Sequence, residues 1–173
     1  MLHVDIVDGY FSPSMPLGLE TVRQLRAKTT LPFDAHVMAK KPDYFIDTLL
    51  DIGVQQLVFH YETCDHVDEM LQRISSRGVR AGVALKPATP LSVLEYIIDN
   101  CDVVLLTLIN PGYASNKSEK QVHYADRKIR ELRELIDKRG LSTMIEIDGR
   151  VTKENTKRWE GIVDIFVTGT AYK

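Results

Sequence analysis

Apolar residues fall along this chain in short runs that alternate between two spacings. Seven runs read as β-strands: Leu2–Val7, Pro32–Val37, Gln56–His60, Arg80–Leu85, Val103–Ile109, Met144–Asp148 and Ile165–Gly169. Several are apolar at successive positions, as in Val103-Val104-Leu105-Leu106, which is how a strand covered on both faces reads. Between the runs the apolar positions move to a helical period. Pro42 suits the first turn of a helix through Phe45, Leu49 and Ile52, with Gly53 behind it. Asp65 suits the cap of a helix carrying Val67, Met70, Leu71 and Ile74, which stops near Gly78. Thr89 and Pro90 read as a cap and a first helical residue. The longest stripe is Val122, Ala125, Ile129, Leu132 and Ile136, with Ser118 and Gln121 spaced for a capping box and Gly140 as its stop.

Strands alternating with helices predict an α/β fold with a parallel sheet. Repeated right-handed βα units either wind about an open sheet or close into a barrel, and the pattern alone leaves both open. An open doubly wound sheet usually carries a glycine-rich phosphate loop after its first strand, and none follows Val7. A (β/α)8 barrel usually takes about 250 residues and eight strands, so this pattern is one strand short. A missing unit would leave a gap between the strand of His3 and the strand of Phe166.

Composition narrows the classes. A length of 173 residues suits a single domain (residues 1–173) with a real core. The 22 Lys+Arg and 24 Asp+Glu give a formal charge of −2, spread along the chain, and no basic stripe marks nucleic acid as a main partner. A hydrophobic share of 44% excludes a disordered chain. Cys64 and Cys101 make no disulfide framework, so a reducing, cytoplasmic setting is expected. No apolar run approaches the roughly 20 residues of a membrane span. Met1-Leu2-His3-Val4-Asp5 has neither the basic nor the apolar segment of a signal peptide.

Polar residues gather at the C-terminal ends of the strand candidates. His3 and Asp5, two apart, share one strand face. His36 ends the second strand, His60 and Glu62 follow the third, and Asp148 closes Ile145-Glu146-Ile147. In a barrel these ends ring the active-site mouth. Converging imidazoles and carboxylates there suit a divalent transition metal, because a buried charge must be paired or ligated. His60 and Glu62 read as rim or supporting residues. His66 and His123 read as solvated helix residues, and the cysteines as small packing residues. A second constellation suits an anion: Asn110-Pro111-Gly112-Tyr113-Ala114-Ser115, then Asp148-Gly149-Arg150, then Gly169-Thr170. Glycines after the last strands let backbone N–H groups approach a phosphate, and Arg150 could add a guanidinium.

These residues carry a resemblance. Leu2-His3-Val4-Asp5-Ile6-Val7-Asp8-Gly9-Tyr10-Phe11-Ser12-Pro13 resembles the signature of the ribulose-phosphate 3-epimerase family. In order follow Asp34-Ala35-His36-Val37-Met38, Val83 through Pro90, Asn110-Pro111-Gly112-Tyr113, Glu146-Ile147-Asp148-Gly149 and Val167-Thr168-Gly169-Thr170-Ala171. The resemblance implies a (β/α)8 TIM barrel, here without the first βα unit and the last helix. It implies an isomerase of carbohydrate metabolism, in the pentose phosphate pathway, that epimerises a ketose phosphate at C3, interconverting ribulose 5-phosphate and xylulose 5-phosphate. It implies one divalent metal (Zn, Fe, Mn or Co) on His3, Asp5, His36 and Asp148, with Asp5 and Asp148 also moving protons. It implies substrate and phosphate contacts at Met38, Gly149, Gly169 and Thr170 and in the loop Gly112-Tyr113-Ala114, to which the residue reading adds Arg150.

The chain departs from the family pattern at Val7 and Thr107, where methionines are usual, and at Ala114-Ser115 and Gly149-Arg150, where Gly-Gly is usual. These leave a six-carbon ketose phosphate such as allulose 6-phosphate as an alternative substrate. The absent unit leaves an inactive, truncated relative as another. A metal-assisted hydrolase or aldolase on the same scaffold would need an activated water or a lysine, and Lys86 is followed by Pro87. The expected partner is a small sugar phosphate, with self-assembly left open.

Overall fold

The computed structural model describes residues 1–111, 116 and 118–169. Seven strands form one parallel sheet in sequential order: β1 (Leu2–Val7), β2 (Phe33–Met38), β3 (Gln56–His60), β4 (Arg80–Leu85), β5 (Val103–Thr107), β6 (Met144–Asp148) and β7 (Ile165–Phe166). Among the described residues β1 and β7 are the ends of the sheet, each paired on one side only. The gap expected beside His3 is therefore present. The α-helices are α1 (Leu19–Arg26), α2 (Asp43–Ile52), α3 (Val67–Ser75), α4 (Ala125–Arg139) and α5 (Lys153–Arg158).

Strand alternation sorts the side chains into two sets. Val4, Ile6, Phe33, Ala35, Val37, Leu57, Phe59, Val83, Leu85, Val104, Leu106, Ile145 and Ile147 point outward into one large core against the helices. Each fully buried Val, Leu or Ile there contributes about 1.5–3 kcal/mol. The intervening positions point inward. On that face the buried apolar cluster is small: Val58, Ala84, Val103 and Leu105, with Met144 packed against it. Most other inward positions are polar, and with Val7 and Met38 they make the site. Gly82 is part of this close packing, since a Cβ there would lie 2.2 Å from the Val103 carbonyl oxygen.

Several helix ends differ from the sequence expectation. Helix α3 begins after His66 and has no side-chain cap, so Asp65 does not cap it. Asp68 and Glu69 in its first turn face the positive end of the helix instead. Pro90 precedes a short 3₁₀ turn, Leu91–Leu94, rather than an α-helix. Thr89 does not cap that turn, because its hydroxyl is bonded to Glu62. Helix α4 begins at Ala125, and the Ser118–Gln121 box does not form. The Ser118 hydroxyl donates to Asn116 Oδ1 at 2.7 Å. Gln121 Nε2 is drawn across the mouth to the carbonyls of Gly149 (2.9 Å) and Arg150 (3.1 Å). The true capping box lies at α5, where Thr152 and Asn155 exchange side-chain and backbone bonds. No helix among the described residues is long and apolar enough to cross a membrane.

Candidate active site

Register brings the polar residues together. β1 and β2 align His3 with Asp34 and Asp5 with His36, and β5 aligns Thr107 with Asp148 on β6. His3, Asp5, His36 and Asp148 each offer a nitrogen or oxygen, and these four atoms lie within 4.8 Å of one another. His3 Nε2 is 3.2 Å from Asp5 Oδ1, His36 Nδ1 is 3.2 Å from the same oxygen, and His36 Nδ1 is 3.8 Å from Asp148 Oδ2.

Hydrogen bonds behind this ring decide which atoms face it. Asp34 Oδ2 lies 2.5 Å from His3 Nδ1, while Asp34 Oδ1 accepts from Gln56 Nε2 at 2.8 Å. The His3 Nδ1–H thus points at Asp34, and its Nε2 faces Asp5. Gln56 Nε2 also donates to Glu146 Oε2 at 2.8 Å. Asp34, Gln56 and Glu146 are all buried, forming a polar floor beneath the ring. On the other side, His36 Nε2 lies 3.0 Å from His60 Nε2, and His60 Nδ1 lies 3.0 Å from Glu62 Oε2. His36 Nδ1 is buried and makes no hydrogen bond.

Electrostatics separates the two aspartates. Burial works against ionisation of Asp5, but its bond to the His3 imidazole overcomes this and holds the carboxyl well below the usual range. Burial and the Asp5 charge raise Asp148. Burial lowers His3, yet Asp34 and Asp5 outweigh it and raise its pKa well above the ordinary value. Burial and the neighbouring Asp34 likewise raise Glu146. Burial pushes His60 down to about 4 despite Glu62. Burial opposes the charge of Glu62, but His60, Thr89 and the Lys86 N–H bring it down to about 2.

Two histidines and two aspartates at the mouth of a parallel barrel sheet are a donor set that suits a divalent metal. The buried, unbonded His36 Nδ1 is the test of fit, since a nitrogen in that state beside two carboxylate oxygens calls for a cation.

The ring opens into a cleft of about 940 Å³. Met38, Gly149, Arg150 and Gly169 line it, as do Val7 and Thr107, the two departures from the family's methionines. Gly149 has φ 114°, and a Cβ there would lie 2.9 Å from Ile109 Cγ1, so the turn after β6 excludes other side chains. Arg150 has a positive φ of 53° and donates from Nε to the Glu119 carbonyl and from a terminal nitrogen to the Asn116 carbonyl. Its guanidinium thus ties the turn to the segment before α4. Gly112, Tyr113, Ala114 and Thr170 lie outside the described residues. His66 and His123 are exposed, Cys101 is buried and Cys64 half-buried, and both cysteines are free.

Asp34, Gln56 and Gln121 carry structural duties at the site that the sequence did not single out. Asp34 could have been found by strand period alone, standing two residues before His36 on the same face.

Fold and site together define a class: a β/α-barrel protein with its polar chemistry at the strand C-termini. The model of the ribulose-phosphate 3 epimerase family matches residues 1–172, and the chain belongs to that family, a family of isomerases. It is 37% identical over 172 residues to the ribulose-phosphate 3-epimerase of Bacillus subtilis, covering 98% of this chain and 78% of that protein. It is 35% identical over 173 residues to that of Escherichia coli K12, covering 99% of this chain and 76% of the relative. Among solved structures it resembles tryptophan synthase α-subunits. That of Pyrococcus furiosus superposes with a TM-score of 0.61 at 18% identity, over 88% of this chain and 62% of the subunit. That of Campylobacter jejuni gives 0.58 at 13% identity, over 98% of this chain and 75% of its own. These two likenesses concern the fold alone.

Proposed function

We propose that the chain is a metal-dependent ribulose-phosphate 3-epimerase that interconverts ribulose 5-phosphate and xylulose 5-phosphate. The observation that carries the reading is the meeting of His3, Asp5, His36 and Asp148 at one point of the barrel mouth. Inverting C3 beside a carbonyl requires a proton to leave one face and another to arrive on the opposite face. Two carboxylates with opposed pKa shifts suit that exchange. Asp5, held ionised by the His3 imidazole, takes the C3 proton of one epimer. Asp148, raised by burial and by Asp5, delivers a proton on the other side. The roles exchange in the reverse direction. His3, Asp5, His36 and Asp148 would hold a divalent ion, whose positive charge would offset the negative charge developing on the substrate oxygens. Met38 covers the sugar chain. The turns at Gly149-Arg150 and at Gly169 with Thr170, together with Gly112, Tyr113 and Ala114, hold the phosphate. On this reading the protein serves pentose phosphate metabolism in the cytoplasm.

The test supplies the purified chain with divalent metal and ribulose 5-phosphate in deuterated water, with allulose 6-phosphate as comparator. Xylulose 5-phosphate should appear with solvent deuterium at C3. Asp5→Asn and Asp148→Asn should each lower kcat by about 10²–10⁴-fold while folding is retained. Product formed at near-full rate by Asp148→Asn would refute the two-carboxylate scheme. Preference for the six-carbon sugar would reassign the substrate.

A further inference from the structure

The chain of bonds from His36 to Glu62 has a direction. Glu62 Oε1 accepts from the Lys86 backbone N–H at 2.8 Å and from the Thr89 hydroxyl. A backbone N–H can only donate, so this oxygen is fixed as an acceptor. Glu62 Oε2, an acceptor of the same carboxylate, then receives the proton of His60 Nδ1. A neutral imidazole carries one N–H, so His60 Nε2 presents a lone pair. That lone pair must accept, and the group opposite it, at 3.0 Å, is His36 Nε2. The proton of His36 is thereby held on Nε2, and its Nδ1 is left bare toward Asp5 and Asp148. Water does not interrupt the relay. His36 and His60 are both fully buried, and the Phe11 ring covers His60 with centroids 4.6 Å apart. Phe11 is held there because its backbone N–H donates to Asp8 Oδ1 at 2.7 Å.

We infer that Glu62 and His60 are positioning residues that set the tautomer of His36, and through it the ability of His36 Nδ1 to bind a metal. The inference rests on the metal-site reading, but it concerns a property of the metal-free protein as well. It also yields a substitution that reverses the relay without changing its shape. In Glu62→Gln the amide oxygen stays with the Lys86 N–H, and the amide nitrogen takes the place of Oε2. That nitrogen donates to His60 Nδ1, so the His60 proton moves to Nε2. His60 then donates to His36 Nε2, and the proton of His36 is displaced to Nδ1, where the metal should sit.

The experiment compares metal-stripped full-length protein, wild type and Glu62→Gln, by nitrogen-15 NMR of the imidazoles. It then measures zinc affinity by chelator competition. Wild type should show His36 protonated on Nε2, Glu62→Gln should show it on Nδ1, and zinc affinity should fall about 10–100-fold. His60→Gln offers an acceptor to His36 and a donor to Glu62, so it should keep the original tautomer and bind zinc within about threefold of wild type. His60→Leu should not. This second pair decides the matter if Glu62→Gln fails to fold. An unchanged His36 tautomer in Glu62→Gln, or equal zinc binding by His60→Gln and His60→Leu, overturns the inference. Normal tautomers and zinc binding in a protein that forms no xylulose 5-phosphate would instead overturn the functional reading alone.

Discussion

Replacing Asp34 by asparagine changes one atom of the buried floor and tests how that floor supports the site. Asp34 is 1% exposed, with one oxygen on His3 Nδ1 and the other on Gln56 Nε2. The new amide can keep its oxygen toward only one of them. If it faces His3, its nitrogen confronts the Gln56 nitrogen, and Gln56 must flip. Gln56 Oε1 then lies against Glu146 Oε2, a contact that works only if Glu146 donates a proton, and burial favours its neutral form. The network can therefore re-form with a neutral bond where a charge-assisted one stood. The difference is about 1–2 kcal/mol of stability, readable by urea unfolding of metal-free protein. His3 also becomes a poorer ligand, which should weaken metal binding about 10–100-fold. One effect runs the other way. Wild-type His3 has a raised pKa and must lose its proton to bind metal, whereas in the variant that competition is weaker. The affinity deficit should hence be largest near pH 9 and narrow as pH falls. Zinc competition at two pH values measures it. Affinity equal to wild type at about pH 9, with stability reduced as expected, would refute the role given to Asp34 and leave it an ordinary buried carboxylate.

The contribution of His60 to metal-free stability should fall as pH drops from about 6.5 through 4, because the unfolded chain binds a proton there that the folded chain refuses until about pH 4, a difference of about 3 kcal/mol. Buried Glu146 and Asp148, with raised pKa values, act in the opposite direction, so the measurement is the difference between wild type and His60→Gln in denaturant titrations across that range; a pH-independent difference would contradict it. Gln121→Ala removes the bonds to Gly149, Arg150 and Asn155, and should raise KM for the sugar phosphate more than it lowers kcat, with about 1–2 kcal/mol lost in stability. Gly82→Ala forces a methyl to within 2.2 Å of the Val103 carbonyl and should cost about 1–3 kcal/mol or more, so an unchanged unfolding midpoint would show that β4 and β5 separate easily.

Strand positions were largely legible because a two-residue period with apolar outward positions is local information. β1, β3, β4 and β6 begin and end where the pattern places them. β5 and β7 end sooner than their apolar runs, at Thr107 and Phe166, and beyond each end one backbone N–H still bonds to β6. There Leu108 N–H donates to the Asp148 carbonyl. Helix α1 offers only the short stripe Leu19, Val22 and Leu25, which none of the expected helices includes, and α5 offers none. In α1 only Val22 is buried, and in α5 nothing is. The four ring residues stood out as polar endings of apolar strands. The floor beneath them did not, because Gln56 finds Asp34 22 residues away and Glu146 90 residues away. Gln121 was misplaced for the same reason. Its spacing from Ser118 fits a local cap, but its partners lie 28 to 34 residues further on.

The register of β1 on β2 has a consequence for quality control during folding. In a parallel ladder, side chains alternate between faces, so a slip of one residue would turn His3 and Asp5 toward the helices and bring Val4 and Ile6 to the mouth. A slip of two would preserve the faces yet set Asp5 opposite Asp34, two carboxylates side by side in a buried floor. Both mistakes remove the ligand set, and the second also carries a repulsion. The correct alignment is thus the one that leaves Asp34 neutralised by His3 and the mouth ready for a cation. On the proposed metal-binding reading, a molecule with a registration error would not load metal. Metal content, measured on single preparations, would then count correctly threaded sheets, a quantity that optical probes of secondary structure cannot distinguish.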